Sequence, residues 1–118
     1  MMTGISVTMT TISDESKAKE LAKALVNEGI AACVQILPIE SYYVWENQLQ
    51  EETECLLIIK HLIDSSRKLH SWLLENHPYE VPEIITTDAD LVSEGYLSWA
   101  RQVSVKKAET EKLDHFVD

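Results

Sequence analysis

The sequence predicts an α+β domain in which strands and helices follow the order βαββαβ, with one further helix at the C-terminal end. Segments with alternating apolar and polar residues are typical of half-buried strands, and segments with apolar residues every three or four positions are typical of amphipathic helices. Both kinds of segment occur in turn along the chain. This order is that of the ferredoxin-like split βαβ unit, an antiparallel sheet with both main helices on one face.

The first strand is predicted by strict alternation near the start of the chain. Ile5, Val7 and Met9 are separated by single Ser or Thr residues. Successive side chains of a strand point to opposite faces of the sheet. The pattern therefore predicts a strand with one buried, apolar side.

The first helix is predicted between two capping signals. Ser13 or Asp14 is a suitable N-cap, and acidic residues there favour the positive end of the helix dipole. Apolar residues recur at helical spacing over residues 18–26. Gly29 follows as the C′ residue, a position where positive φ costs glycine little.

A long hairpin is predicted over residues 31–61. Pro38 indicates an edge position or a bulge in its first strand, because proline cannot donate to a ladder. The chain turns at residues 46–48, where Asn47 tolerates positive φ. The returning strand contains the apolar run Cys55–Ile59, so we expect it to be buried on both faces.

The second half of the unit is predicted from its capping and breaking residues. Asp64 or Ser65 is a suitable N-cap for a second helix. This helix must end at His77-Pro78, because proline drives the residue before it out of the helical region. A fourth strand over residues 83–88 and a third helix over residues 93–103 complete the order.

The composition indicates one acidic domain. We assign residues 1–103 to a single domain and residues 104–118 to a charged C-terminal extension. A chain of 118 residues can bury an adequate core without a disulfide or a metal. The formal net charge is -10, whereas nucleic-acid binding depends on clustered Lys and Arg. No nucleic-acid partner is therefore expected.

The cysteines and the apolar segments predict a protein of the cytoplasm. Cys33 and Cys55 lie in apolar runs and lack the short paired spacing of zinc sites or disulfide frameworks, which fits a reducing compartment. No apolar run approaches the length of a membrane span, and the first residues lack the cationic start of a signal peptide. We therefore expect a cytoplasmic location and no membrane partner.

Four segments resemble the CutA family of divalent-cation tolerance proteins. They are AACV (31–34), YVWENQLQEETE (43–54), HPYEVPEI (77–84) and YLSW (96–99), in the order and spacing of the family. The resemblance covers about residues 5–103 and implies a ferredoxin-like fold assembled as a PII-like homotrimer. The apolar third strand fits that implication, because two helices on one face cannot cover both faces of the sheet and another subunit could.

Cys33 and His77 are the candidate metal ligands. From the residues alone, Cys33 is interpreted first as a small core residue. The alternative is a soft ligand for copper, for which thiolate and imidazole are favoured donors. The resemblance implies the alternative, since the matching family positions have been associated with copper. Some family members add a Cys and a His where this chain has Trp72 and Asn76, so we expect copper or another divalent cation to be weakly bound.

A second candidate site is a cleft between subunits, walled by the segment from residue 77 to residue 83. Pro78 and Pro82 fix the directions of the side chains between them, and preorganised groups lose less entropy on binding. Amphipathic aromatic side chains suit an interface that is partly apolar and partly wet. A lysine would add a contact for an anion. The candidate ligand-binding residues are Tyr43, Trp45, Lys60, Tyr79, Glu80 and Glu83.

Nothing in the sequence indicates an enzyme. It contains no glycine-rich phosphate loop and no H-E-x-x-H helix. His61, His70 and His115 are interpreted as isolated surface or strand-end residues. Two functions stay open. One is a trimeric, non-enzymatic protein of divalent-cation tolerance that binds copper or similar ions weakly. The other is a small-molecule sensor or adaptor, similar to the PII trimers in architecture, with ligand sites in the inter-subunit clefts.

Overall fold

The structure, a computed structural model, describes residues 4–104. The strands form one antiparallel sheet in the order β2-β3-β1-β4. The order βαββαβ with a following helix, and the ferredoxin-like split βαβ topology, are confirmed. Apart from Ser104, the predicted extension 104–118 lies outside the described residues, as does His115. The elements are β1 (Ile5–Ile12), α1 (Glu15–Asn27), β2 (Cys33–Trp45), β3 (Gln48–Leu62), a 3₁₀ turn (Ile63–Ser65), α2 (Ser66–Asn76), β4 (Ile85–Asp88) and α3, helical over residues 94–104.

Both predicted ends of α1 are confirmed. The Asp14 carboxylate accepts a hydrogen bond from the backbone N–H of Lys17 at 3.1 Å, as an N-cap does. Gly29 has a φ of 72°, and the N–H of Ile30 reaches the carbonyl of Leu25 at 3.1 Å. This is a Schellman motif, in which the left-handed C′ position favours glycine.

The main core lies between the sheet and the helices α1 and α2. Both helices pack against Leu57 and Ile59 of β3, which are fully buried. Burial of a leucine or isoleucine side chain contributes roughly 1.5–3 kcal/mol. Both main helices therefore lie on one face of the sheet, as predicted. The buried members of this core are Ile12, Ala18, Leu21, Leu25, Ile30, Ala31, Leu57, Ile59, Leu69 and Leu73.

None of the helices within residues 4–104 has the length and apolar character needed to cross a membrane.

The side of β1 that lies under the helices is the polar one. Ser6, Thr8 and Thr10 are fully buried, whereas Val7 and Met9 on the apolar side are only partly buried. The expectation that the apolar side is the buried side is therefore wrong for most of the strand. Hydroxyl groups can be buried where they find hydrogen-bond partners, and strand periodicity does not reveal partners from distant segments.

A chain of hydrogen bonds accounts for the buried hydroxyl of Thr8. Nδ1 of His61 lies 2.9 Å from the Leu62 carbonyl and so carries the proton of the neutral ring, which leaves Nε2 to accept from the Thr8 hydroxyl at 2.7 Å. Thr8 then accepts from the Thr86 hydroxyl at 2.6 Å, which accepts from Nε2 of His70 at 2.8 Å. The interpretation of His61 and His70 as isolated residues is wrong, since they join α2, β4, β1 and β3.

The β2–β3 hairpin projects beyond the rest of the sheet. β3 pairs with β1 only over residues 55–62, whereas it pairs with β2 over residues 48–60. We call residues 39–54 the arm. Its tip is a two-residue turn in which Glu46 and Asn47 have φ values of 51° and 63°, as in a type I′ turn. The positive φ predicted for Asn47 is confirmed.

The ladder of the hairpin settles two predictions. Pro38 stands in regular register opposite Cys55 on the edge strand, so it occupies an edge position and makes no bulge. In the apolar run of β3, Leu56 and Ile58 point away from α1 and α2 and are partly buried within the single chain. Burial of the run on both faces is therefore incomplete in one copy.

The face of the sheet opposite α1 and α2, called the open face, is apolar and partly covered. α3 covers one end of it, where Ile5, Leu62 and Ala100 are buried together. The rest of this face lies beyond α3, and its outer members Leu37 and Ile85 are 39% and 49% exposed. The register places Val7, Met9, Leu37, Leu56, Ile58 and Ile85 on the open face.

The buried histidines predict that the fold loses stability in mild acid. Burial lowers the pKa of both His61 and His77 below the ordinary value, although the carbonyls of Leu62 and Thr11 act in the opposite direction. Below about pH 6.5 the unfolded chain therefore takes up protons that the folded chain does not. The free energy of unfolding should fall as the pH falls, by at most about 1.4 kcal/mol per pH unit for each histidine.

Urea denaturation between about pH 7.5 and pH 5.5 measures this slope. His61→Gln should reduce it, because glutamine does not titrate. A slope that is unchanged in His61→Gln would show that the neutral, buried state of His61 is not its source.

Candidate functional site

A groove lies between the arm and the segment from residue 77 to residue 84, which we call the corner. Its volume is about 730 Å³, within the range typical of small-molecule sites. Among residues 4–104, no lysine, arginine or histidine lines it. Its charged and aromatic lining residues are Glu52, Glu54, Glu80, Glu83, Tyr42, Tyr43, Trp45 and Tyr79. The groove is thus both acidic and aromatic.

His77 sets the conformation of the corner. α2 ends there with a ψ of 137°, the extended conformation predicted for the residue before Pro78. The ring is buried, and its Nδ1 accepts the backbone N–H of Tyr79 at 3.0 Å. Nε2 therefore carries the proton, and it lies 3.0 Å from the carbonyl of Thr11. The imidazole joins the corner to β1 and fixes the backbone of Tyr79.

The Tyr79 hydroxyl ties the corner to the arm. It donates to Oε2 of Glu54 at 2.5 Å. Burial and this hydrogen bond raise the pKa of Tyr79 to about 12. Glu54 is only 5% exposed, and a carboxylate so deeply buried depends on hydrogen bonds. The Tyr79–Glu54 pair therefore forms the inner wall of the groove.

A second tyrosine–glutamate pair lies farther out on the arm. Tyr43 donates to Oε2 of Glu52 at 2.7 Å, and this hydrogen bond raises the pKa of Tyr43. Both residues are exposed. Within residues 4–104, no ion pair neutralises a carboxylate of the groove. The groove therefore has a negative electrostatic potential that attracts cations.

Most of the predicted ligand-binding residues share this groove. Lys60 is the exception, because it lies on the open face with Nζ 5.9 Å from the centroid of the Tyr96 ring. One arm and one corner of the same chain are sufficient to form the groove, and a further wall from a second subunit stays a prediction. The predicted residues that line the groove are Tyr43, Trp45, Tyr79, Glu80 and Glu83.

Glu52 and Glu54 are functional candidates that the sequence analysis missed. Tyr43 pairs with Gln50 in the ladder, so side chains two and four residues farther along β3 lie on the same face as Tyr43. The signal that could have identified them is this alternation, since the position of the hairpin turn fixes the register.

The predicted metal ligands Cys33 and His77 are not brought together within one chain. Cys33 pairs with Lys60 on the open face, where burial and the nearby thiol raise the pKa of the Tyr96 hydroxyl. His77 lies on the helix-covered face, with Nε2 3.0 Å from the hydroxyl oxygen of Thr10. The sheet therefore separates the thiol from the imidazole.

The donor set of a single chain does not fit a resident metal ion. Both nitrogens of His77 are engaged, Nδ1 as an acceptor and Nε2 as a donor, so neither offers a free lone pair. In the described part of the chain, no three His, Cys, Asp or Glu side chains are grouped so that they could hold a metal ion.

Comparison with known proteins identifies relatives over nearly the whole described domain. The family model for CutA1 divalent ion tolerance protein matches residues 6–103. Protein CutA of Homo sapiens is 37% identical over 101 residues, which are 85% of this chain and 56% of the human protein. Divalent-cation tolerance protein CutA of Thermus thermophilus is 38% identical over 97 residues, 81% of this chain and 94% of that protein. The chain thus spans just over half the length of the human relative.

Solved structures share the fold. The crystal structure of divalent ion tolerance protein CutA1 from Ehrlichia chaffeensis has a TM-score of 0.84 at 30% identity and covers 88% of this chain and 98% of its own. The periplasmic divalent cation tolerance protein CutA from Archaeoglobus fulgidus has a TM-score of 0.82 at 25% identity and covers 85% of this chain and 98% of its own.

Tyr79→Phe should destabilise the fold more than Tyr43→Phe. Each change removes one hydroxyl that donates to a glutamate of the arm, but Glu54 is buried and Glu52 is exposed. Loss of a donor to a buried carboxylate costs about 1–3 kcal/mol, whereas water screens and replaces the exposed contact. Urea denaturation of the two variants provides the comparison. Equal losses of stability would mean that Glu54 does not depend on Tyr79.

Proposed function

The chain belongs to the CutA1 divalent ion tolerance protein family, and from this membership we propose that it is a homotrimer without catalytic activity that binds divalent cations weakly. The family match over residues 6–103, from β1 into α3, carries the proposal. The names of the Thermus and Ehrlichia relatives refer to divalent-cation or divalent-ion tolerance and to no reaction, which supports a non-enzymatic role.

The open face and the arm support the homotrimer. Leu56 and Ile58 lie outside the core under α1 and α2, and α3 covers only one end of their face. On the arm, Val44 and Leu49 are each 69% exposed, although an isolated two-stranded hairpin is rarely stable in water. Apolar surface of this extent is typical of interfaces. A closed ring of copies would cover it, and three is the number that the family resemblance implies.

The groove favours hard divalent cations. Carboxylate oxygens are preferred by Mg²⁺, Ca²⁺ and Mn²⁺ over copper. Because no suitable group of three ligands occurs within residues 4–104, most of the coordination shell would remain water, and binding would be weak. Copper held by both Cys33 and His77 would require the two residues to come from different chains, since the sheet separates them within one chain.

Family membership favours the tolerance role over the small-molecule sensor or adaptor that the sequence left open, because the family description and the name of the Thermus relative refer to divalent ions.

We also propose a cytoplasmic location, which the free thiols of Cys33 and Cys55 support. The Archaeoglobus relative is described as periplasmic. Cell fractionation is the direct test, and recovery from an oxidising compartment would refute the location.

The chain should sediment as a homotrimer, and Ile58→Glu should impair assembly. A carboxylate in the middle of the open face would lose its hydration on assembly without gaining a partner, which costs several kcal/mol. Leu74→Glu is the matched control, because it adds the same charge to a side chain that is 66% exposed on α2. Sedimentation equilibrium at micromolar concentration measures both variants. A monomeric parent protein contradicts the trimer, and equal dissociation of the two variants contradicts the role of the open face.

Manganese should bind weakly in the groove and independently of Cys33. We expect a dissociation constant on the order of 10⁻⁴–10⁻³ M, as for sites with few carboxylate ligands. Glu80→Gln should weaken binding because it removes a lining carboxylate, and Cys33→Ser should leave it unchanged. Electron paramagnetic resonance of free Mn²⁺ measures the affinity. Loss of Mn²⁺ binding in Cys33→Ser would show that the thiol is the ligand and that the groove is not the site.

A further inference from the structure

We propose that the groove binds a small organic cation, an ammonium group carried on an apolar body. This inference rests on the proposed function in one respect, since it takes the groove as the cation site. It adds the chemical class of the ligand. Three features of the groove lead to it: the unpaired charge, the aromatic walls and the size.

The inner end of the groove holds a buried carboxylate that has no counter-ion among residues 4–104. Glu54 is 5% exposed, and the hydroxyl of Tyr79 occupies its Oε2 at 2.5 Å. In the part of the chain that the structure describes, no basic side chain lines the groove and no ion pair involves Glu54. Glu80 and Glu83 add further negative charge from the corner. A buried charge that lacks a counter-ion is costly, so a cation that enters the groove stabilises this arrangement.

The aromatic side chains that line the groove offer mainly their rings to a ligand. The hydroxyls of Tyr43 and Tyr79 already donate to Glu52 and Glu54, so what these side chains offer to a ligand is mainly the ring. Trp45 is 49% exposed at the outer end of the groove. Aromatic faces attract ammonium groups through the quadrupole of the ring, and tryptophan does so most strongly. Carboxylates beside aromatic faces are therefore suited to a cation that also has apolar surface.

The groove is larger than a hydrated metal ion requires, so its size favours an organic cation over an inorganic one. A hexa-aqua metal ion needs roughly 200 Å³ at about 30 Å³ per water molecule, whereas the groove has a volume of about 730 Å³. In the described residues no three side chains of ligand type are grouped for a metal. An organic cation needs no such group, because a few polar contacts and apolar walls are sufficient to hold a small molecule.

Calorimetric titration of the whole chain with benzylamine and with benzyl alcohol tests the inference. The two probes share the same apolar body and nearly the same size, and only benzylamine is cationic at neutral pH. We expect benzylamine to bind at least about tenfold more tightly, the factor that corresponds to one charge-assisted hydrogen bond.

Single variants locate the site. Glu54→Gln keeps an acceptor for Tyr79 and removes the charge, and it should weaken benzylamine binding at least about tenfold. Trp45→Leu should weaken it several-fold through loss of the ring face. Glu51→Gln is the matched control, since it removes the same charge from β3 but its side chain does not line the groove. If Glu54→Gln does not fold, Glu80→Gln at the exposed corner provides the same comparison.

Three results would overturn the proposal. They are equal affinity for the two probes, no measurable binding of benzylamine, and equal weakening by Glu51→Gln and the groove variants. The manganese titration separates this inference from the proposed function. Binding of Mn²⁺ without benzylamine refutes the organic cation alone, and binding of benzylamine without Mn²⁺ refutes the metal proposal alone.

Discussion

The groove depends on a mismatch in strand length at the centre of the sheet. β3 has 15 residues and its neighbour β1 has 8, so β3 has a partner on both sides only near its C-terminal end. Beyond the end of β1, β3 pairs with β2 alone and the hairpin projects as the arm. A two-stranded ribbon has no further strand or helix of its own to cover its faces. The uncovered side chains of one face, together with the corner, become the groove.

The corner completes the groove because one imidazole uses both of its nitrogens for structure. His77 accepts from Tyr79 through Nδ1 and donates toward Thr11 through Nε2, and Pro78 removes much of the remaining backbone freedom. The same two hydrogen bonds leave the ring without a lone pair for a metal ion. For His77, the structural role and the role of a metal ligand therefore compete, and the geometry of the single chain favours the structural role.

Features with a local cause were predictable from the sequence, and features with a distant cause were not. Asp14, Gly29 and Asn47 act within a few residues of their own positions. Gly29 and Asn47 have their predicted roles, and Asp14 is one of the two predicted N-caps. The burial of Thr8 depends on His61, which is 53 residues away, so alternation in β1 alone indicated the wrong face. The same limit applies to the site. The groove residues came from a resemblance and from the proline spacing, whereas the positions of the acidic residues on β3 required the register of the hairpin.

The two predicted metal ligands lie on opposite faces of the sheet. Cys33 lies on the open face beside Tyr96, the face proposed to contact a neighbouring copy, while His77 lies on the opposite, helix-covered face. A soft-metal site at Cys33 would therefore take its second strong donor from another copy, and its affinity would depend on assembly. The carboxylates of the groove come from one arm and one corner of a single chain. Binding of hard or organic cations there does not require a second copy to supply a ligand, so the two chemistries would respond differently to dissociation of the oligomer.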